Sequence, residues 1–332
     1  MKFRFPALPA DAAGRSRLLN GAARLGVGVL SRVLMYLFLI ASSFVLLYPV
    51  LYMLSMAFRP AADMSNPNVI WIPTALTLEN IKGIWEYVQY PKLLGNTLLL
   101  CGVSSVLQVV VCCLVGYGFA RFRFRGRGVL MGLLLLTIVL PPQATSVANY
   151  LQITSFDPLG VLWLLRQITG RQFVINLYDT PWAFWLPAGL GMGIRSGIFI
   201  IIYRQFFRSL PADLEDAGYV DGCGPLRTFL HIMLPNCRPA VVIVMLFSVV
   251  WYWNDTFYAT SYFDTLRTIS VKLAEMKADI TRFLPDIAGS DPFASLVYLQ
   301  AGVALSVIPM LLLYILCQRA FVESVERSGL VG

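Results

Sequence analysis

The chain has 332 residues, of which 58% are hydrophobic and only 13% charged, and it carries a net charge of +8. Soluble domains carry about a quarter charged residues, so a water-surrounded globule is excluded and a bilayer becomes the expected solvent. The positive balance would suit nucleic acid, but its placement along the chain accounts for it otherwise.

Residues 1–32 form a basic, partly amphipathic arm holding Lys2, Arg4, Arg15, Arg17, Arg24 and Arg32. A run near Val33 to Phe58 follows that can cross a core of about 30 Å, which takes about 20 apolar residues. The length of the basic leader and the lack of a small-residue cleavage site make this a retained span rather than a signal peptide. Between Arg59 and Asn96, the segment LTLENIKGIWEYVQY predicts a short helix after Thr77. The second span lies near Thr97 to Ala120 and closes on ARFRFRGRG, a topology anchor rather than an RNA-binding stretch.

The third span, near Val129 to Tyr150, contains Pro141 and Pro142. Proline leaves backbone carbonyls unpaired, and at membrane depth these need a covering of protein or a water-filled cavity. The pair is therefore a candidate for the lining of a pathway, and Pro309 predicts a similar break in the sixth span. A long loop from about Leu151 to Pro181 carries GVLWLLRQI. The fourth span, near Trp182 to Tyr203, places Arg195 at mid-depth among Gly189, Gly191, Gly193, Ser196 and Gly197. The GxxxG at 193 and 197 predicts close approach of another helix. Arg195 reads either as half of a structural ion pair or as a pathway residue, with Phe199 sharing its face at i+4. A fifth span near Ala240 to Phe257, a loop with ISVKLAEMKADITRFL, and a sixth span near Ala294 to Cys317 complete the chain.

Lys and Arg set the orientation. Sixteen fall in the arm, the second and fourth connections and the tail, against nine in the much longer loops opposite. Both termini are therefore expected in the cytoplasm, and the charge excess becomes a topology signal. The six cysteines (101, 112, 113, 223, 237, 317) form no CxxC pair and read as packing residues.

His231 is the only histidine, and no Asp or Glu lies deep in a span. A proton- or sodium-coupled carrier usually needs such groups, and no nucleophile-and-base set favours a membrane enzyme or scaffold. A GxxxxGK[ST] phosphate loop is absent from the sequence. Energy for uphill movement would have to come from another chain.

The cytoplasmic loop 204–239 offers a place for it. Within 211–235, Pro211 suits a first helical position, ADLEDAGYV puts acidic residues in the first turn, and Gly222 can end the helix in a left-handed cap. Pro225 opens a second helix whose apolar Leu226, Phe229, Leu230 and Met233 recur at helical spacing until Pro235 stops it. Such a pair would form a rigid knob.

This loop resembles that of the permeases of binding-protein-dependent ABC importers, which follow E-A-A, three residues, G, nine residues, I-x-L-P. Asp216, Ala217, Gly218, Gly222, Ile232, Leu234 and Pro235 occupy those positions with every spacing kept. Asp stands for Glu, and Gly218 for the second Ala costs about 1 kcal/mol of helix propensity. NTLLL, GYGFARFRFRGRG, LPPQAT, IYRQFFRSLP, WYWNDTFYA and the C-terminal QRAFVESVERSGLVG are similar to the carbohydrate-importer branch. The resemblance implies an all-α integral membrane protein of six transmembrane helices over 33–332, with the type I importer fold. It implies a second permease, two ATPase subunits and an extracytoplasmic solute-binding protein as partners. The motif loop would be the coupling helix seated in the ATPase. ATP and Mg would be held by those subunits, with no cofactor on this chain, and the cargo would be a sugar. An importer for another solute and a stand-alone carrier are the alternatives. The long third and fifth loops are expected to meet the solute-binding protein.

Overall fold

A computed structural model of the protein describes residues 12–67, 69, 71–170, 174–283 and 294–329. The chain builds helices almost everywhere, because a backbone in lipid must satisfy its own polar groups. Among the described residues, extended pairing is limited to one bridge, Phe156 with Ile175.

Helix α1 (Ala12–Ala57) runs through the expected boundary at residue 32 and through Pro49. The helix foreseen after Thr77 is α2 (Glu79–Tyr87), whose first N–H donates to Thr77 Oγ1 at 3.2 Å. The second span is α3 (Tyr90–Arg121), the central element, packed most extensively against the fourth and fifth expected spans. Then come α4 (Arg127–Val139) and α5 (Ser146–Thr154), α6 (Val161–Thr169) in the long loop, α7 (Trp182–Gly189) and α8 (Ser196–Ser209). The knob is α9 (Asp213–Val220) and α10 (Pro225–Asn236), followed by α11 (Arg238–Asn254), the short α12 (Phe257–Tyr262), α13 (Ile269–Phe283) and α14 (Ala294–Gly329).

Among the described residues, three stretches are long and apolar enough to cross a membrane: Gly28–Ala57, Tyr90–Arg121 and Ser295–Arg319. Two more candidates are bent, by 106° between α4 and α5 and by 75° between α10 and α11. The first bend falls at Leu140 to Pro142, where the missing N–H groups of the prolines interrupt the ladder. Pro309 behaves otherwise: α14 continues through it without a break. The fourth expected span differs most, being split into α7 and α8 by the segment 190–195.

Two apolar cores stack along α3. One gathers Leu100, Phe184, Tyr252, Trp253, Phe263 and Ala301; the other gathers Cys112, Tyr117, Phe199, Tyr203, Phe207 and Phe229. Between them α3 presents Ser104, Ser105 and Gln108, all fully buried. That polar belt meets the split in the fourth span.

Candidate functional site

The split is built by glycine. Pro187 and the run Gly189–Gly193 weaken the helix, and α7 ends in a left-handed Gly191 at φ +75°. Met192 N–H donates to Pro187 O at 2.8 Å and Gly191 N–H to Ala188 O at 3.2 Å, the pairing of a Schellman cap. Arg195 is also left-handed, at φ +60°, and forms the cap of α8 rather than lying inside a helix.

Irregular backbone at this depth needs partners, and distant helices supply them. Gln108 Nε2 donates to Ile194 O at 2.7 Å and to Ser196 Oγ at 2.8 Å. Its Oε1 accepts from Ser248 Oγ of α11 at 2.6 Å. Ile194 N–H donates to Tyr252 Oη at 3.4 Å. A Cβ on residue 193 would stand 2.5 Å from Tyr252 Oη and 3.0 Å from the Ala188 backbone, so only glycine fits. At residue 197 a Cβ would meet Ile138 and Thr137 at 2.9 and 3.0 Å, which is the close helix approach that the GxxxG spacing predicts.

Beside the split opens a cleft of about 740 Å³. Its walls come from the α4–α5 bend (Pro142, Gln143, Asn149), from the split itself, and from the end of α11 (Trp251, Asn254) with Tyr258 beyond it. Arg195 is exposed into it, its guanidinium 4.6 Å from the Trp251 ring centroid. Among the described residues no carboxylate lies within ion-pair distance of Arg195. The cleft thus joins aromatic faces to amide and guanidinium donors, a combination suited to an uncharged, hydroxyl-rich ligand. Of the two prolines only Pro142 lines it. Phe199 does not share a face with Arg195; it is 1% exposed in the second core, because a left-handed residue before a helix does not obey the i+4 rule.

The knob forms at the other end of α3. Helix α9 starts at Asp213, two residues beyond Pro211. It ends on Gly222 at φ +78°, with Cys223 N–H donating to Gly218 O at 2.9 Å and Gly222 N–H to Tyr219 O at 3.1 Å. Gly218 is buried against α10: a Cβ there would sit 2.6 Å from Ile232 Cδ1 and 3.3 Å from Thr228. Pro225 opens α10 as expected, but Pro235 does not close it. The turn Phe229–Met233 has π geometry, the helix resumes through Leu234–Asn236, and the chain bends only at Cys237. The ring and missing N–H of Pro235 disfavour an α-turn there, and a π-turn absorbs the misfit. Phe229 and Met233 face inward, while Leu226 and Leu230 are 70% and 45% exposed.

Asp216 and Ala217 are exposed, so the residue fixing the knob is Glu215. Its Oε1 accepts from Tyr117 Oη at 2.7 Å and its Oε2 pairs with Arg121 Nε at 3.3 Å. Arg121 also donates to Leu210 O at 2.8 Å. The acidic first turn was visible in the sequence; that Glu215 turns inward depends on α3, far back in the chain.

Residues 112–327 match the family model described as the binding-protein-dependent transport system inner membrane component. This chain belongs to that family. Similar permeases include the probable ABC transporter permease protein YurM of Bacillus subtilis (strain 168), 28% identical over 90% of this chain and 87% of that protein. The maltodextrin transport system permease protein MdxG of the same organism is 25% identical over 92% and 98%. The trehalose transport system permease protein SugB of Mycobacterium tuberculosis is 26% identical over 86% and 93%. A chain of a bacterial ABC transporter involved in the import of the acidic polysaccharide alginate superposes with a TM-score of 0.66 at 19% identity, covering 90% of this chain and 98% of that one. The permease is therefore a multi-pass inner-membrane subunit of an ABC transporter.

In this permease, two carboxylates tie down the loops remote from the knob. Asp63 accepts from Thr74 Oγ1 at 2.6 Å and Thr74 N–H at 2.8 Å, bonds that, with Arg59 nearby, hold its carboxyl below the usual range. Asp179 accepts from Thr265 Oγ1 at 2.6 Å and from the N–H groups of Asp264, Thr265 and Leu266. Burial alone would raise Asp179; the four hydrogen bonds outweigh it and lower its carboxyl. The clasp joins the end of the third loop to the start of the fifth.

Proposed function

We propose that this permease forms half of the translocation pathway of a carbohydrate importer, with a second permease forming the other half. Two ATPase subunits bind ATP and Mg and seat the knob of α9 and α10, and an extracytoplasmic solute-binding protein delivers the sugar to the long third and fifth loops. Six spans, with the α7–α8 pair counted as a broken one, would leave both termini in the cytoplasm. The observation that carries the cargo assignment is the cleft, where Arg195 lies over Trp251 among Gln143, Asn149 and Asn254. Aromatic faces meet the C–H surface of a sugar ring, and amide and guanidinium groups bond its hydroxyls. The maltodextrin and trehalose relatives support the same class.

The test is uptake by the four-subunit transporter, reconstituted in vesicles with its solute-binding protein, across a panel of neutral oligosaccharides. Arg195→Met keeps the aliphatic stem and removes the donors, so uptake should fall at least about tenfold, the cost of roughly one charge-assisted bond, while the complex stays assembled. A transporter that moves another solute and no saccharide would overturn the reading.

A further inference from the structure

We propose that Gln108 is a positioning residue that holds the cargo cleft in register with the coupling knob, a role resting on the carbohydrate pathway proposed above. It is 0% exposed and is the one side chain among the described residues that bonds both flanks of Arg195, through Ile194 O and Ser196 Oγ. With Ser248 as its third partner it also grips α11 one turn before Trp251, the ring beneath the guanidinium. A single amide therefore sets both members of the Arg195–Trp251 pair.

Gln108 also sits on the helix that the knob holds. Tyr117, nine positions further along α3, donates to Glu215 of α9. At 1.5 Å per residue the two polar contacts are about 13 Å apart on one rigid rod. Movement of α9 drawn by an ATPase would be carried by α3, and the Gln108 bonds are the ones that transmit it to the irregular backbone beside the cleft. Apolar contacts can slide; three directional bonds to one amide cannot without breaking. A fully buried amide with both N–H groups and its oxygen bonded is also stable enough to serve as a link, since separating it would strand donors and acceptors in a dry core.

The measurement is sugar moved per ATP hydrolysed, in vesicles holding the complete transporter, with loaded solute-binding protein in excess. Gln108→Met matches the shape and removes the amide. The sugar-to-ATP ratio should fall at least about fivefold, while ATP turnover stimulated by the loaded binding protein continues. Gln108→Glu supplies the rescue. In its neutral form a carboxyl can donate to Ile194 O and accept from Ser248, whereas the carboxylate cannot donate. Burial raises the pKa of such a group, so the ratio in Gln108→Glu, divided by that of wild type at the same pH, should be near one at about pH 6 and decline towards about pH 9. A normal ratio in Gln108→Met overturns the proposal. So does a parallel loss of uptake, ATP turnover and assembled complex, together with a flat pH profile in Gln108→Glu, because that pattern marks a residue needed only for folding. Failure of the carbohydrate reading itself would appear separately, as absence of sugar uptake by the wild-type transporter.

Discussion

Glu215→Ala should unseat the knob. The substitution removes a hydrogen bond from Tyr117 Oη to a carboxylate and an ion pair with Arg121, whose side chains are 12% and 14% exposed. A hydrogen bond to a charged group contributes about 1.5–3 kcal/mol, and stranding one member of a buried pair costs about 3–5 kcal/mol. Arg121 keeps its bond to Leu210 O, which places the total near the lower end, about 3 kcal/mol. Since 1.36 kcal/mol is a factor of ten, the open population of α9 should rise about 100-fold. Amide hydrogen exchange over 213–221 in the purified complete transporter reads this directly, because exchange from a locally opened segment follows its opening free energy. Tyr117→Phe should account for about 1.5 kcal/mol of the effect, and the double mutant should be less than additive because both changes remove the same bond. Unchanged exchange over 213–221 in Glu215→Ala would refute the anchoring role.

Three further outcomes follow from the geometry. Gly193→Ala pushes a Cβ to 2.5 Å from Tyr252 Oη and 3.0 Å from backbone, so the thermal midpoint of the complex should fall by the equivalent of about 1–3 kcal/mol; an unshifted midpoint argues against a tight split. Asp179 has a depressed carboxyl, so its contribution is present above about pH 4, the unfolded value, and is lost as pH falls through the folded one; Asp179→Asn should weaken the clasp at neutral pH and remove that acid dependence, read by exchange at 264–266. Deleting 161–169 should weaken docking of the solute-binding protein while leaving that protein's affinity for free sugar unchanged, and intact docking would assign α6 another task.

The knob was legible because its signals are local: Gly222 needs a left-handed residue at one position, and Pro225 needs only the first turn of a helix. The bend at Pro141 and Pro142 was legible for the same reason. Pro309 misled because removing one N–H does not oblige a helix to break; neighbouring packing decides. The split at 190–195 was hidden for the opposite reason. Its glycines read equally well as a smooth packing surface, and the groups that make a break tolerable (Gln108, Ser248 and Tyr252) sit on helices with no sequence link to it. Phe199 followed from that error, since a helix assumed continuous puts it beside Arg195. Glu215 was missed because a first-turn acid is fully explained by the helix dipole until Tyr117 and Arg121 are brought to it.

The contact of Gly218 with Ile232 has a bearing on how such loops can be exchanged. Where this chain has glycine, the loop pattern that it resembles has alanine, and here that extra carbon would fall 2.6 Å from the Ile232 methyl. The two hairpin arms are therefore fitted to one another as lock and tumbler. A chimera that brings in 211–222 with that alanine would force Ile232 Cδ1 to swing aside, whereas a cut that takes 211–236 as one piece moves both halves of the fit together. The smallest portable unit of this loop is therefore the whole hairpin, because Gly218 and Ile232 are fitted to each other across it.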